Sequence, residues 1–440
     1  MHRPRLLILD EPTAGVDVEL RSEIWRVVKG LNPAGTTVLL TRLPHSRLRS
    51  SGGTPILEEA ETLCDEIALL RAGRIVDRGS APSLRAVVLA AGGCAFQSKT
   101  LGCDVNTGDG ALLAVEAGAR LSGMEFSNAY AIAPKGTSLT KTAYYSWATF
   151  YRADGSVLEG AASKGGRSVI ARTLLTEPVY ARFDKAAPDE QLAMRKGQPN
   201  TFLVFDRLGI DPFTDPFEIT LLAEGTVRGT GGVRIAGQDC STDVPGLYAA
   251  GDTATRELIC GGFTGGGSHN AAWAASSGSW AGRGAATFAA GRGRPGRAVR
   301  PVGTAGLRPT GAVNVGHREV VTAVQREVLP YDRNYLRHAD RPEPALRSLH
   351  ETWAAVREGL GASGEALFRA REAAATVAHG RWMYHAALQR TESLGMHKRA
   401  DRPVQDPAQH HRLLTGGLDE VWSRPEAVQR QTVASGGRVA

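Results

Sequence analysis

The chain has 440 residues, room for about two to four domains at roughly 100–200 residues each, and its 22% charged and 42% hydrophobic residues exclude a disordered chain. Its net charge of +7, from 52 basic and 45 acidic residues, is too small and too dispersed for a nucleic-acid-binding stripe, and no apolar run approaches the ~18 residues of a membrane span. Glycine is the outlier at 52 residues; it shows no G-X-Y period and falls in clusters, as close approach to a ligand or sharp turns require.

The first predicted element is Leu6-Leu-Ile-Leu9, followed by Asp10-Glu-Pro-Thr-Ala-Gly-Val-Asp17. Four consecutive apolar residues predict a strand buried on both faces, as in a parallel sheet. Two carboxylates at its C-terminal end lie where open α/β sheets bind ligands. One can hold Mg²⁺ through water and the next can polarise an attacking water; the alternative is an ordinary buried strand ending in an acidic turn. Residues 4–85 resemble the C-terminal part of an ABC transporter ATPase subunit. Leu6–Glu11 resembles the Walker B strand and Ala14–Asp17 the D-loop, while Leu57–Val76 resembles the helix and strand after the switch histidine. The resemblance implies that Asp10 is the magnesium-side carboxylate, Glu11 the catalytic one and Asp17 the D-loop aspartate. The sequence contains no G-x-x-x-x-G-K-[ST] to cradle phosphates. Thr54-Pro-Ile56 stands where the switch histidine is expected, and His45 lies in an apparent insertion, residues 42–54. Phosphoryl transfer depends on positioning, so this half-set is expected not to hydrolyse ATP, and a metal is expected only at Asp10 in a working Mg-ATP site.

From residue 86 the character changes. Ala86-Val-Val-Leu-Ala-Ala-Gly-Gly93 predicts a buried strand entering a glycine turn. Asn106-Thr-Gly-Asp-Gly110 precedes an alanine-rich helix, where Asp109 by itself reads as a cap. Val244–Asp252 is a short apolar strand delivering one carboxylate after a glycine, and Gly261–Asn270 is a glycine-rich loop entering a second helix. Such a loop offers N–H groups and a positive dipole to an electron-rich ligand; the alternative is a flexible linker.

Together these strings resemble the flavoprotein subunits of the fumarate reductase and succinate dehydrogenase superfamily, from about residue 86 to about 424. Gly92 and Gly93 match the family's A-T-G-G turn, and Thr107 and Asp109 its T-G-D-G. Gly251 and Asp252 match the strand whose carboxylate holds the ribityl hydroxyls, and Gly265–Asn270 the loop under the isoalloxazine ring. The resemblance therefore implies FAD as cofactor, held by Gly92, Gly93, Thr107, Asp109, Gly251, Asp252, Gly266, Gly267, Ser268, His269 and Asn270. It implies hydride transfer between flavin and an activated alkene, with Arg167 of Arg167-Ser-Val-Ile-Ala-Arg172 as the proton shuttle. Arg228 falls at a substrate-binding histidine position, and Tyr130, in Met124-Glu-Phe-Ser-Asn-Ala-Tyr130, replaces another; Thr264 stands in place of the arginine usual before the glycine loop. These departures point to a different or bulkier acid or enone than succinate or fumarate. Glu392-Ser-Leu-Gly-Met-His-Lys-Arg-Ala-Asp-Arg-Pro403 resembles the family's tail, departing at Ser393 and Leu394.

A dinucleotide site opens with strand, G-x-G-x-x-G, helix and an acidic residue, and nothing before residue 86 provides it. The literal match Gly291–Gly296 has Pro295 where a helix should start, and reads as coincidence within a basic linker. Further on, Leu346, Leu349, Trp353, Val356 and Leu360 step by three and four along one helical face, and Trp382, Met383 and Leu388 lie in a second such stretch; core packing is the expectation for both. His410-His411 reads as surface.

The implied fold class is α/β: an FAD-binding, Rossmann-like flavoprotein fragment with an inserted α+β capping region and a helical C-terminal tail, preceded by a partial P-loop-type segment. The expected division is 1–85 ABC-ATPase-like, 86–125 and 225–290 flavoprotein core, 126–224 cap, 291–343 basic linker and 344–440 helical. Five cysteines without a C-x-x-C fit a reducing compartment, and a cytoplasmic protein is expected. The expected partner is a small-molecule substrate, with an electron-transfer partner unassigned. Three readings stand: a truncated FAD-dependent oxidoreductase, an ABC ATP-binding remnant, or a non-functional join of two gene fragments near Ser80–Arg85.

Overall fold

A computed structural model describes residues 86–140, 143–263, 267–291, 303–363 and 366–427, and the backbone of four strands nearer the N-terminus. Those are β1 (Leu6–Asp10), β2 (Thr37–Thr41), β3 (Ala68–Arg71) and β4 (Arg74–Asp77). The apolar run at residues 6–9 does form a strand, and β1 pairs in parallel with β2, Ile8 opposite Leu39. β3 and β4 form an antiparallel hairpin. Glu11, Asp17 and His45 lie outside the described residues.

The core begins at β5 (Val87–Leu89), followed by a glycine turn and α1 (Asp109–Glu116). Strand β6 (Leu121–Ser122) leads into the second region, a four-stranded antiparallel sheet of β7 (Ala129–Pro134), β8 (Thr149–Tyr151), β9 (Val179–Arg182) and β10 (Phe217–Glu224) in the order β7-β10-β9-β8. β10 alternates: Phe217, Ile219, Leu221 and Ala223 are buried, with half-buried residues between them, so one face packs inward. Helices α2 (Arg167–Thr173), α3 (Pro188–Gly197) and α4 (Pro199–Leu208) belong to the same region. Its core is aromatic. Phe205 lies 4.7 Å from Phe217 and Phe183 5.2 Å from Phe217, centroid to centroid and edge to face, the arrangement that ring quadrupoles favour.

After the one-turn helix α5 (Gly225–Arg228) and β11 (Gly232–Val233) the chain re-enters the core. There β12 (Leu247–Ala249) pairs in parallel with β5, Leu247 opposite Val87. The short α6 (Glu257–Cys260) precedes the long α7 (Gly267–Ala290). The expected linker at 291–343 is in part a packed element. α8 (His317–Val328) buries Val320, Val324 and Val328 along one face, a stripe at i, i+4, i+8 that the surrounding arginines mask in composition.

The C-terminal region is helical as far as α9 (Pro342–Gly359) and α10 (Ala366–Gln389). α9 buries Leu349, Trp353 and Val356 on one face. α10 is buried nearly all round from Ala370 to Ala387, as a central helix must be when apolar neighbours surround it. It is fixed to α1 by the buried Arg371–Glu116 ion pair; Arg371 also donates to the Ala305 carbonyl at 3.0 Å. Beyond α10 the described residues form no α-helix. β13 (Leu413–Gly416) and β14 (Trp422–Pro425) form a hairpin that joins β6 and β11 in a sheet ordered β11-β6-β13-β14. Four-residue strands are too short for a period to show in sequence. Their partners lie some 290 residues upstream, since Leu414 pairs with Ser122.

Candidate functional site

The site is assembled from two glycine turns. At the end of β5, Gly92 has φ +74°, and a Cβ there would come 2.1 Å from Asn106 Oδ1, so only glycine fits. Gly93 accepts the Gly108 amide at 3.1 Å, bringing the second turn against the first. Gly108, with φ 88°, occupies the N-cap position of α1. Asp109 is therefore the first helical residue and not the cap. Its carboxylate accepts from the Thr107 hydroxyl, and burial raises its pKa.

At the end of β12, Gly251 donates its amide to Ser277 Oγ at 2.9 Å and accepts from Trp273 Nε1 at 2.9 Å, both from α7. Asp252 follows and pairs with Arg256, four residues on. Arg256 is 1% exposed and also donates to the carbonyls of Thr226 (2.8 Å), Val227 (3.0 Å) and Gly229. It thereby fastens α5 beside Asp252. Burial raises the Asp252 pKa, and the Arg256 and Arg228 charges oppose the rise.

A cavity of about 410 Å³ opens beside Asp252, lined by Cys103, Thr140, Val227, Arg228, Asp252 and Asn270 among others. This volume falls within the range of ligand sites. Asn270, near the start of α7, donates to the Val227 carbonyl at 3.2 Å, while its Oδ1 is buried without a hydrogen-bond partner. Arg228 stands with Nε 4.0 Å from Glu224 Oε1. Glu224 is only 5% exposed and accepts from Thr140 Oγ1 at 2.8 Å.

The predicted residues thus separate into two groups. Arg228, Asp252 and Asn270 line the cavity, whereas Gly92, Gly93, Thr107 and Asp109 do not; the first turn is tied to it through Thr253, which donates to the Gly92 carbonyl at 3.0 Å. Arg167 and Tyr130 lie together elsewhere, in the antiparallel-sheet region. Arg167 opens α2 and donates to the carbonyls of Tyr130 (2.8 Å) and Ser163 (3.0 Å). Its Nε is buried without a partner, and burial lowers its pKa against the pull of Tyr335 and Glu224. The Tyr130 hydroxyl donates to the carbonyls of Val328 (2.9 Å) and Leu329 (3.0 Å), acceptors that the end of α8 leaves open. Glu224 connects the groups: it reaches toward Arg228, and its charge acts on Arg167. Of the loop residues, His269 is exposed, Gly267 and Ser268 are described by backbone only, and Thr264, Gly265 and Gly266 lie outside the described residues.

Sequence reasoning missed Glu224, Thr140, Cys103 and Arg256. The only local signal was the Asp252-x-x-x-Arg256 spacing of opposite charges, which here pair across a non-helical stretch, residues 254–256. The two strings quoted from Met124 and Glu392 do meet, through a buried ionic network. Arg390 donates to Glu125 (2.8 Å) and Glu392 (2.8 Å). His397 is neutral, since burial and the Arg337 charge hold its pKa well below the usual value; its Nδ1 accepts from Arg337 at 2.7 Å. Met396 donates its amide to the Gly262 carbonyl at 2.8 Å, so the tail holds the start of the glycine loop.

Comparison with known proteins gives different relatives for different parts of the chain. No protein-family model matches it. Its N-terminal region matches ABC transporter ATP-binding proteins: a daunorubicin resistance ATP-binding protein, DrrA3, of Streptomyces coeruleorubidus is 43% identical over 83 residues. The Nod factor export ATP-binding protein I of Rhizobium leguminosarum is 45% identical over 76 residues. These matches cover 19% and 17% of this chain and 22% and 21% of those proteins, so the chain spans about a fifth of the length of the curated relatives it matches. Over most of its length the fold is that of fumarate reductase and succinate dehydrogenase flavoproteins. Mycobacterium smegmatis Sdh1, solved in complex with UQ1, gives a TM-score of 0.63 at 21% identity, covering 93% of this chain and 71% of that one. E. coli quinol fumarate reductase FrdA gives 0.61 at 19%, covering 79% and 66%. Adenylylsulfate reductase of Archaeoglobus fulgidus gives 0.58 at 16%, covering 78% and 67%.

Proposed function

We propose that this chain is an FAD-dependent oxidoreductase that moves hydride between flavin and the activated C=C bond of an enoate or enone. The observation that carries the reading is the convergence of Arg228, Asp252 and Asn270 on one cavity beside the Gly251–Asp252 turn, in a fold shared with flavoproteins.

The residues present fit the cofactor at this cavity. Asn270 Oδ1 is a buried acceptor without a partner, the kind of group that a bound ligand satisfies. Asp252 is partly exposed to the cavity and fixed by Arg256, as a carboxylate receiving hydroxyl donors needs to be. Bound FAD would supply the hydride donor or acceptor. The chain's own residues do the rest. Arg228 offers a cation to the carboxylate or carbonyl of the substrate, positioned by Glu224. Arg167, buried, with its pKa lowered and under the Glu224 charge, is the candidate proton donor, although it does not line this cavity. Tyr130 serves by holding Arg167 through its carbonyl and α8 through its hydroxyl.

The test is an assay with a reduced low-potential dye and a panel of enoates and enones. Dye oxidation by at least one of them, abolished in Arg167→Ala while flavin stays bound, supports the proposal. Dye oxidation unchanged by Arg167→Ala removes Arg167 from the mechanism, and no oxidation with any member of the panel refutes the alkene reading.

A further inference from the structure

The lining of the cavity beside Asp252 is of two chemical kinds. Among the described residues that line it, Arg228 is the only cation and Asp252 the only carboxylate, with Thr140 and Asn270 as neutral polar groups. Leu101, Cys103 and Val227 are its apolar part. Val227 and Cys103 are buried, and burial raises the Cys103 pKa, so that side chain is a neutral thiol and packs as a small hydrophobe. Leu101 differs from both, since it lines the same cavity and is 55% exposed.

The loop that carries Leu101 is fixed before and after it. Of the four non-glycine residues with positive φ among those described, three are Phe96, Gln97 and Lys99, at 56°, 51° and 64°, a conformation that persists only where the surroundings enforce it. Gln325 Nε2 donates to the Phe96 and Gln97 carbonyls at 3.0 and 2.8 Å, and the buried Phe96 ring stands edge-on to His379. The Lys99 amide donates to Asp104 Oδ1 at 2.5 Å. The Leu101 amide donates to the Ser138 carbonyl at 2.8 Å, two residues before Thr140 of the lining. A leucine held by its backbone at the edge of a cavity, with half its surface in water, offers an apolar ligand group area to bury at little cost in ordering.

The charges decide the rest of the ligand. Arg228 can meet one carboxylate. A second one would face Asp252, and Glu224 Oε1 already stands 4.0 Å from Arg228 Nε, so a dianion meets repulsion that a monoanion avoids. On the reading of this cavity as the substrate site, we infer that it takes a monocarboxylic enoate with an apolar alkyl or aryl substituent. Leu101 favours the substituent, and Asp252 disfavours a second carboxylate.

Calorimetry on the full chain tests this without turnover, using the saturated acids propanoate, 3-phenylpropanoate and succinate. 3-Phenylpropanoate should bind tighter than either of the others by roughly tenfold or more. Leu101→Ser should weaken 3-phenylpropanoate by roughly fivefold or more and leave propanoate unchanged, while Leu101→Met keeps the wild-type ratio. Equal affinity for the three acids, tighter binding of succinate, no binding of any, or a preference that survives Leu101→Ser would overturn the assignment of Leu101. The dye assay separates this outcome from the alkene reaction. Enoates reduced with no preference for a substituent refute selection by Leu101 and keep the reaction. Leu101-dependent binding of 3-phenylpropanoate with no enoate reduced keeps the selection and refutes the reaction.

Discussion

At 43% identity over 83 residues the N-terminal segment is similar in sequence to a daunorubicin resistance ATP-binding protein. Most of the chain is 18–21% identical to the flavoprotein structures it resembles and still shares their fold. The difference separates a motif from a site. The first likeness lies in strings of residues, the second in how the backbone is packed. Fold alone does not give an activity, so each half of this contrast has its own experiments.

The largest effect is expected where the core's packing admits no alternative. Gly225 has φ +54°, and a Cβ there would lie 2.0 Å from the Cys94 carbonyl oxygen. Gly225→Ala should cost about 4 kcal/mol, read by thermal unfolding; a stability near wild type would show that the turn relaxes freely. Next, Glu116→Ala leaves Arg371 buried without its ion pair and should cost about 3 kcal/mol. A loss below ~0.5 kcal/mol, the size of a surface pair, would mean that α1 and α10 are not joined there.

A pH effect follows from the buried carboxylates beneath the glycine loop. Burial, with the nearby Glu125 charge adding to it, pushes Glu257 from 4.5 up to about 7, and the Ser122 hydroxyl opposes the shift. Below 4.5 both folded and unfolded states hold the proton. Between 4.5 and about 7 only the folded state holds it, so stability falls as pH rises through this window. Glu257→Gln should remove that fall, and relative to wild type it should gain on the order of 2 kcal/mol at pH 8 compared with pH 5. Parallel pH profiles for the two proteins would contradict the assignment.

Smaller effects separate the two functional readings. Arg228→Ala should weaken carboxylate ligands by roughly tenfold, one charge-assisted hydrogen bond of ~1.4 kcal/mol, as measured by calorimetry; unchanged affinity would place the ligand elsewhere. In the N-terminal segment the expected effect is nil. Wild type and Glu11→Gln should both fail to hydrolyse ATP, and phosphate release by wild type that Glu11→Gln abolishes would restore the ATPase reading.

What was legible in the sequence was local. The strand and turn at Ala86–Gly93, the glycine that opens α1 and the Gly251–Asp252 turn are continuous strings whose residue types dictate backbone shape. The buried face of α9 follows from its spacing, whereas α10 is buried nearly all round. Glu224 and Thr140 were not legible, because one ends a strand and the other a loop, and their 2.8 Å contact spans 84 residues. Arg256 was hidden for a similar reason, since three of its acceptors are carbonyls some 27 to 30 residues away. Tyr130 stood at a position where a ligand-binding histidine was expected, but its partners at the end of α8 lie about 200 residues further on. Within 291–343 the valine stripe of α8 was hidden by the arginine and glycine content around it.

The most direct measurement is the absorbance spectrum of the purified full chain, taken as isolated and after incubation with FAD and removal of the excess. The account predicts oxidised-flavin bands that remain with the protein, reduced in Asp252→Ala, which removes the cavity's carboxylate. A colourless protein that retains no added FAD would contradict it.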